Sequence, residues 1–279
     1  MIEIKNLSFG YNKNKLLYKN LNLSLEAGSI YGLLGKNGAG KSTLLKNIIG
    51  LLFPNTGEIW VNGFKPKKRL PGFLETIYFI PEEVDVPPLS IKRYLNLFTP
   101  FYPKFNKKLF YEYLNDLEIE SNIKLSTLSL GQQKKFIIAF ALATNTKVLI
   151  MDEPTNGLDI PSKSWLRKLI ASIVNDDRII IISTHQVRDL DNLIDRVIVV
   201  DEGNLLLNAS MAEIAQKLCF KTVKEAGDEE QVIYSEISLN GYSIVTKNTK
   251  KEDSKVNLEH LFNAITQSPN EVKNLFVKE

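Results

Sequence analysis

The run Gly35-Lys36-Asn37-Gly38-Ala39-Gly40-Lys41-Ser42-Thr43 lies between two segments of different periodicity and restricts the chain more than any other feature. Upstream, Ser29–Leu34 runs apolar into Gly35, as a buried strand does. Downstream, Lys41–Gly50 carries apolar residues at helical spacing and closes on glycine. A turn of this composition between strand and helix fits the pattern G-x-x-x-x-G-K-S/T. Its glycines let successive backbone N–H groups point at one phosphate chain, and the helix that follows adds its positive N-terminal end. Lys41 is placed to reach the β- and γ-phosphates of a nucleotide, and Ser42 to hold magnesium. Gly35, Asn37, Gly38, Ala39, Gly40 and Thr43 complete the expected nucleotide-binding set.

A second cluster lies at Val148-Leu149-Ile150-Met151-Asp152-Glu153, an apolar strand ending in two carboxylates. Parallel α/β sheets hold their ligand sites at such strand ends. Asp152 suits the magnesium shell, and Glu153 suits a general base that polarises an attacking water. A helix over Ser162–Val174 and a second apolar strand, Ile179–Ser183, follow. Strand, helix and strand with wholly apolar strands predict a parallel sheet buried on both faces. Ser129-Leu130-Gly131-Gln132 opens a further helix that runs to about Ala143, giving a second helix start able to bind an anion. One chain rarely needs two such ends, so the second is assigned to the ATP of a partner subunit.

The remaining segments surround this centre. Ile2–Phe9 and Leu21–Leu25 alternate apolar and polar residues, a strand pair exposed on one face, and Ile59–Val61 and Thr76–Ile80 are short strands. From Pro81 the texture becomes aromatic and charged with helical periodicity, as in Ile91–Phe98 and Lys107–Leu117, punctuated by Pro87, Pro88, Pro100 and Pro103. This predicts an inserted helical subdomain over 81–135. Arg196–Val200 and Leu205–Leu207 flank a hairpin turn. Beyond Leu218 the character changes again. Gln231–Ile237 and Tyr242–Lys247 predict a hairpin turning at Asn240-Gly241, and Leu258–Ile265 and Glu271–Val277 predict helices. The expected division is an ATPase domain over 1–218 and an accessory region over 219–279. The expected fold is α/β: a P-loop NTPase with a mixed/parallel sheet core, an antiparallel N-terminal β-subdomain, the helical insertion and a small C-terminal α/β appendage.

Charge and composition exclude other classes. The 279 residues are 44% hydrophobic and 24% charged, an ordinary globular balance. A net charge of +3 falls short of the clustered charge of a dedicated nucleic-acid binder, so no nucleic-acid partner is expected. Cys219 stands alone and cannot form an intramolecular disulfide, and the opening residues lack the apolar run of a secretion signal, which points to the cytoplasm. The longest apolar runs, Phe136–Ala143 and Ile179–Ile182, are far shorter than the roughly 18 residues that suggest a membrane-spanning helix. Work on a membrane would need another chain to cross it.

These motifs, in their order and spacing, resemble the nucleotide-binding subunit of ABC transporters over about residues 1–218. The resemblance implies ATP and Mg²⁺ as ligands, with Tyr11 stacking on adenine. Leu128-Ser129-Leu130-Gly131-Gln132 is similar to the family signature, whose Ser and Gly contact the γ-phosphate across a head-to-tail dimer. Asn156-Gly157-Leu158-Asp159 is similar to the loop linking the two sites, and His185 to the switch histidine that senses the γ-phosphate. Two positions depart from the family pattern. Leu130 replaces a usual glycine, and Glu82 stands where a glutamine normally contacts magnesium and couples to the membrane subunit. His260 matches nothing in the family and reads as structural.

Phe101-Tyr102-Pro103 and the tail Leu258-Glu259-His260-Leu261-Phe262-Asn263 resemble the drug- and antibiotic-exporter branch, whose ATPases are separate from their membrane subunits. The implied partners are a second copy or a related ATPase subunit, and a separate transmembrane permease that holds the chain at the cytoplasmic face. Two other readings stand beside transport. One is a soluble ATPase acting on a protein assembly, as in iron–sulfur assembly, and the other is a regulatory nucleotide-binding module with little turnover.

Overall fold

Successive side chains of the strand Val148–Asp152 enter opposite cores: Val148 and Ile150 pack on one side, Leu149 and Met151 on the other. Strands Ile179–Thr184 and Ser29–Leu34 divide their apolar residues in the same way, which is why these segments read as continuous apolar runs and not as alternating ones. The computed structural model describes residues 1–12, 15–189, 191–225 and 231–276.

The three strands are central in a six-stranded sheet of order Ile77–Ile80, Val148–Asp152, Ile179–Thr184, Ser29–Leu34, Arg196–Asp201 and Asn204–Ser210. Every neighbouring pair is parallel except the last, the expected hairpin. In register, Leu34 lies opposite Thr184 and Asp152 opposite Ser183, so three strands end at one edge. One face carries the helix Lys41–Ile48 and the antiparallel sheet Tyr18–Leu25, Ile2–Phe9 and Thr56–Val61, which together enclose one core.

The other core holds the helical segment, with helices Ile91–Phe98, Lys107–Asp116 and Leu130–Ala143. The last of these is unbroken across residue 135, so one helix carries the helical segment back onto the sheet. Phe140 on that helix is 1% exposed and gathers the rings of Tyr94 and Phe105, both at 5.1 Å, with Tyr78, Tyr102 and Phe110 within 6.2 Å. Ser90 and Asn106 cap the two shorter helices by accepting from Arg93 N and Leu109 N.

The C-terminal region forms a third sheet, Leu218–Val223, Gly241–Lys247 and Val232–Ser238, covered by helices Leu258–Gln267 and Pro269–Phe276. The hairpin turns at Asn240-Gly241 as expected, and Val277 lies outside the described residues. Strand Leu218–Val223 is an element that the sequence pattern does not mark, because Leu-Cys-Phe-Lys-Thr-Val has neither strand alternation nor helical spacing. Phe220, Val245 and Leu261 join the same core as the helical segment. Among the described residues no helix is long and apolar enough to cross a membrane.

The ring cluster gives a direct test of this packing. Phe140→Ala is expected to lower unfolding free energy by about 3–5 kcal/mol in urea denaturation, through lost burial and the cavity left behind. Leu97→Ala, at a position 52% exposed, should change it by no more than about 0.5 kcal/mol.

Candidate active site

Gly35 leaves the strand Ser29–Leu34 so close to the neighbouring strand that an added Cβ would lie 2.5 Å from Val200 O. Gly40 has φ +111°, in the left-handed region, and an added Cβ there would strike the Tyr18 ring. Both positions therefore require glycine. The Tyr18 hydroxyl donates to Gly40 O at 2.6 Å and pins the loop from below. Helix Lys41–Ile48 begins directly after Gly40 with no side chain capping it and no acid in its first turn. Its first N–H groups thus face the cavity without a competing acceptor from a capping residue.

The loop opens into a cavity of about 910 Å³ lined by Tyr11, Lys36, Asn37, Gly38, Gly40, Lys41, Ser42, Thr43, Glu82, Glu153 and His185, among others. The structure thus brings together most of the residues expected to bind one nucleotide. Ala39 is buried beneath the loop. Tyr11 is 70% exposed, with its ring edge-on to Phe9 and a hydroxyl–hydroxyl hydrogen bond to Thr43 Oγ1 at 3.0 Å. Those two contacts orient a ring whose face stays open for stacking.

Buried Lys41 lies at the centre of the cavity wall. Its Nζ donates to Gly35 O at 2.7 Å and to Lys36 O at 3.4 Å, and pairs with Glu153 Oε1 at 3.4 Å. Glu153 itself has φ +47°, a left-handed turn immediately after the strand end. This turns its N–H onto Ser183, where both the carbonyl and Oγ lie at 3.1 Å. Its carboxylate receives His185 Nδ1 at 2.9 Å on Oε1 and the His185 backbone N–H at 3.3 Å on Oε2. The geometry suits a carboxylate that takes a proton from water beside an imidazole able to share the charge. Asp152, also buried, accepts a hydrogen bond from Ser183 Oγ on Oδ1.

Lys134 is a site residue that the sequence reading does not single out. It is 6% exposed and donates to three backbone carbonyls, Glu153 O at 2.9 Å, Asn156 O at 2.9 Å and Glu82 O at 3.3 Å. Burial pushes its ammonium below the ordinary lysine value, against the opposing pull of the Glu82, Glu153 and Asp152 carboxylates. One side chain on the helix Leu130–Ala143 therefore holds three loops at the cavity's edge. Asn156 Nδ2 also donates to Glu82 Oε1 at 3.1 Å. Glu82 is thus tied to the loop 156–159 while still lining the cavity.

Ser129, Gly131, Gln132 and Asp159 lie outside the cavity wall. Ser129 and Gln132 form a reciprocal capping box at the start of helix Leu130–Ala143. An added Cβ on Gly131 would stand 3.6 Å from Gly157 O, and Leu130 is 78% exposed beside it. Asp159 caps the helix Ile160–Ile173 and pairs with Lys135 at 3.6 Å. Its hydrogen bonds from Ser162, followed by Lys135, hold its carboxyl below the usual range. Behind the phosphate loop, a small cavity of about 230 Å³ is walled by Gly35, Asn37, Thr184, His185, Val187 and, from the C-terminal region, Phe262. Arg188 Nε donates to Glu259 Oε2 at 2.6 Å on the same side.

The oxygen donors also test the site for magnesium. Ser42 and Glu82 open on the cavity, and Asp152 ends the central strand with Oδ1 engaged by Ser183. A hydroxyl and carboxylates are hard ligands, and magnesium on a nucleotide takes few protein oxygens beside phosphate and water. These residues fit that ion.

The family described as ABC transporter matches residues 18–156. The chain is similar to an uncharacterized ABC transporter ATP-binding protein of Methanocaldococcus jannaschii, 30% identical over 271 residues that cover 94% of this chain and 97% of that protein. It is also similar to the Nod factor export ATP-binding protein I of Burkholderia orbicola, 28% identical over 244 residues, 85% of this chain and 80% of that protein. Among solved structures, a dimeric ATP-binding cassette in a post-hydrolysis state bound to ADP and Pi superposes with a TM-score of 0.66 at 25% identity, covering 75% of this chain and 98% of that one.

Lys134 also supplies a pH test. With its folded value below the ordinary 10.5, the unfolded chain binds the extra proton in the interval just beneath 10.5. The stability this residue contributes therefore rises with pH there and is lost as pH falls through the folded value. The difference in unfolding free energy between wild type and Lys134→Met is expected to widen as pH climbs towards the ordinary lysine value of 10.5. A constant difference would show that the ammonium is not desolvated.

Proposed function

The chain belongs to the ABC transporter family, and we propose that it is the ATP-hydrolysing subunit of an exporter whose substrate path lies in a separate membrane permease. The observation that carries this reading is the meeting of Lys41, Glu153 and His185 in the cavity into which the phosphate loop opens. The similarity to a Nod factor export ATP-binding protein supports the outward direction. Relatives named as transporter subunits leave the assembly-ATPase reading without support.

In the proposed mechanism, phosphate oxygens presented to the loop compete for the Lys41 protons now held by Gly35 O, Lys36 O and Glu153 Oε1. Once Lys41 turns to the phosphates, Glu153 Oε1 is left with His185 Nδ1 as its close partner. Glu153 then orients water and accepts its proton, while His185 supports the charge that builds on the γ-phosphate. Tyr11 stacks on the adenine. Ser42, Asp152 and Glu82 hold magnesium, which when bound neutralises charge on the phosphates. The dimer is head-to-tail, formed with a second copy or a related subunit, so that Ser129, Gly131 and Gln132 of one chain complete the site of the other. Asp159 and the loop 156–159 join the two sites.

The permease would dock on an apolar groove of about 540 Å³ between the sheet edge and the helical segment, where Leu51, Leu74 and Phe101 are exposed. Docked there, the subunit is peripheral on the cytoplasmic face. We divide the chain into a cassette over 1–218, with helical segment 81–135, and an accessory region over 219–279.

Glu153→Gln is expected to lower ATP turnover by about 10²–10⁴-fold while ATP binding persists, because the base is lost and the loop is not. Normal turnover in this variant would overturn the base assignment. The tagged variant, purified with ATP from solubilised native membranes, should carry a multi-span membrane protein in stoichiometric amount. Recovery of soluble proteins alone would overturn the transporter reading.

A further inference from the structure

His185 is gripped from both sides. On one side its imidazole Nδ1 and its backbone N–H meet the Glu153 carboxylate, at 2.9 and 3.3 Å. On the other the chain passes Gln186 and enters the short turn Val187–Asp189, and the C-terminal helix Leu258–Gln267 lies directly against that turn. Neither Val187 nor Arg188 lines the nucleotide cavity, so this second grip serves something other than direct contact with ATP.

The second grip combines charge and packing. Arg188 Nε donates to Glu259 Oε2 at 2.6 Å. Val187 is 8% exposed and shares a core with Leu258 and Leu261. Phe262 joins Val187 and His185 in walling the small cavity of about 230 Å³ behind the phosphate loop. Lys255 Nζ, just ahead of the helix, donates to Asn192 Oδ1 at 3.0 Å and ties the segment again further on.

The helix that does the gripping is itself firmly seated. Asn257 caps it, accepting from the Glu259 and His260 N–H groups at 3.0 Å each. Leu258, Leu261, Ala264 and Ile265 on its inner face are buried. His260 Nε2 lies 3.0 Å from Glu236 Oε1 and ties the helix to strand Val232–Ser238. Glu259 thus reaches Arg188 from a rigid support. An ion pair between side chains 84% and 42% exposed adds little to stability. What it supplies is geometry, because it fixes the turn that begins two residues beyond the imidazole.

We propose that helix Leu258–Gln267 positions His185 for ATP hydrolysis, through Glu259 on Arg188 and through Phe262 beside Val187. The inference rests on the role given to His185 in the proposed mechanism. Neither Glu259 nor Phe262 lines the nucleotide cavity, so both are positioning residues that keep the imidazole aligned with Glu153. Misplacement of a reacting group by about 1 Å costs about 10²-fold in rate. A loosened turn is therefore expected to show in kcat and not in the affinity for ATP, which the phosphate loop sets.

The test measures steady-state ATP hydrolysis by the full chain in two backgrounds, wild type and His185→Ala. In the wild-type background Glu259→Gln should lower kcat about two- to fivefold and Phe262→Ala about tenfold, with KM for ATP unchanged. Exchanging the charges, in the double variant Arg188→Glu with Glu259→Arg, should restore kcat. In the His185→Ala background no imidazole is left to align, and neither substitution should lower the residual kcat further. Glu259 is only half-buried, so its variant keeps the test open even if Phe262→Ala does not fold. Wild-type kcat in both variants, or the same fold-loss in both backgrounds, would overturn the inference. Full turnover in His185→Ala would instead overturn the role of the histidine on which it rests.

Discussion

The parallel ladder that sets Leu34 beside Thr184 and Asp152 beside Ser183 fixes where every reactive group of this chain emerges. The phosphate loop leaves one strand, Asp152 and Glu153 end another, and His185 follows the third. Register here is held by side chains buried on both faces, since a slip of one residue would exchange the occupants of the two cores. The same slip would carry His185 away from Glu153. Packing energy far from the phosphate loop therefore determines how Glu153 and His185 meet beside it.

Around this edge two lysines act on one glutamate from opposite sides. Lys41 reaches the Glu153 carboxylate, while Lys134 holds its backbone carbonyl along with those of Glu82 and Asn156. In the proposed mechanism the first contact is the exchangeable one, because phosphate oxygens at the loop compete for the Lys41 ammonium. The second has no competing ligand in the cavity and acts as scaffold. Both lysines are buried, and their place explains the contrast: Lys41 lines the cavity and Lys134 does not.

The local features of the fold were legible in the sequence. Glycines at 35 and 40, the apolar runs of the central strands and the carboxylate pair at 152–153 each carry their meaning within a few residues. The hairpin at Asn240-Gly241 follows from the same kind of signal, whereas the order of the six strands rests on contacts distant in sequence and was not legible. Lys134 was not legible, since a lysine pair on a helix reads as a solvated face, and only the fold separates buried Lys134 from Lys135 beside Asp159. Ser183 looked like the end of an apolar run, although its hydroxyl serves Asp152. Ser129 and Gly131 were placed by resemblance, because their expected ligand belongs to another chain. Arg178 sits in a short polar connection, and nothing in its neighbours announces that it is buried.

The wall that Phe262 supplies behind the phosphate loop links the two ends of the chain in order of synthesis. A polypeptide emerging from the ribosome has its loop at Gly35–Thr43 and both carboxylates long before residue 262 exists. Until then the small cavity beside Asn37 and His185 lacks its last side, and the apolar surface awaiting Phe220, Val245 and Leu261 is open to water. That wall and that core are therefore completed only after both clusters of polar site residues have been made. A ribosome stalled before residue 262 would hold a cassette with every motif and an open wall behind its phosphate loop.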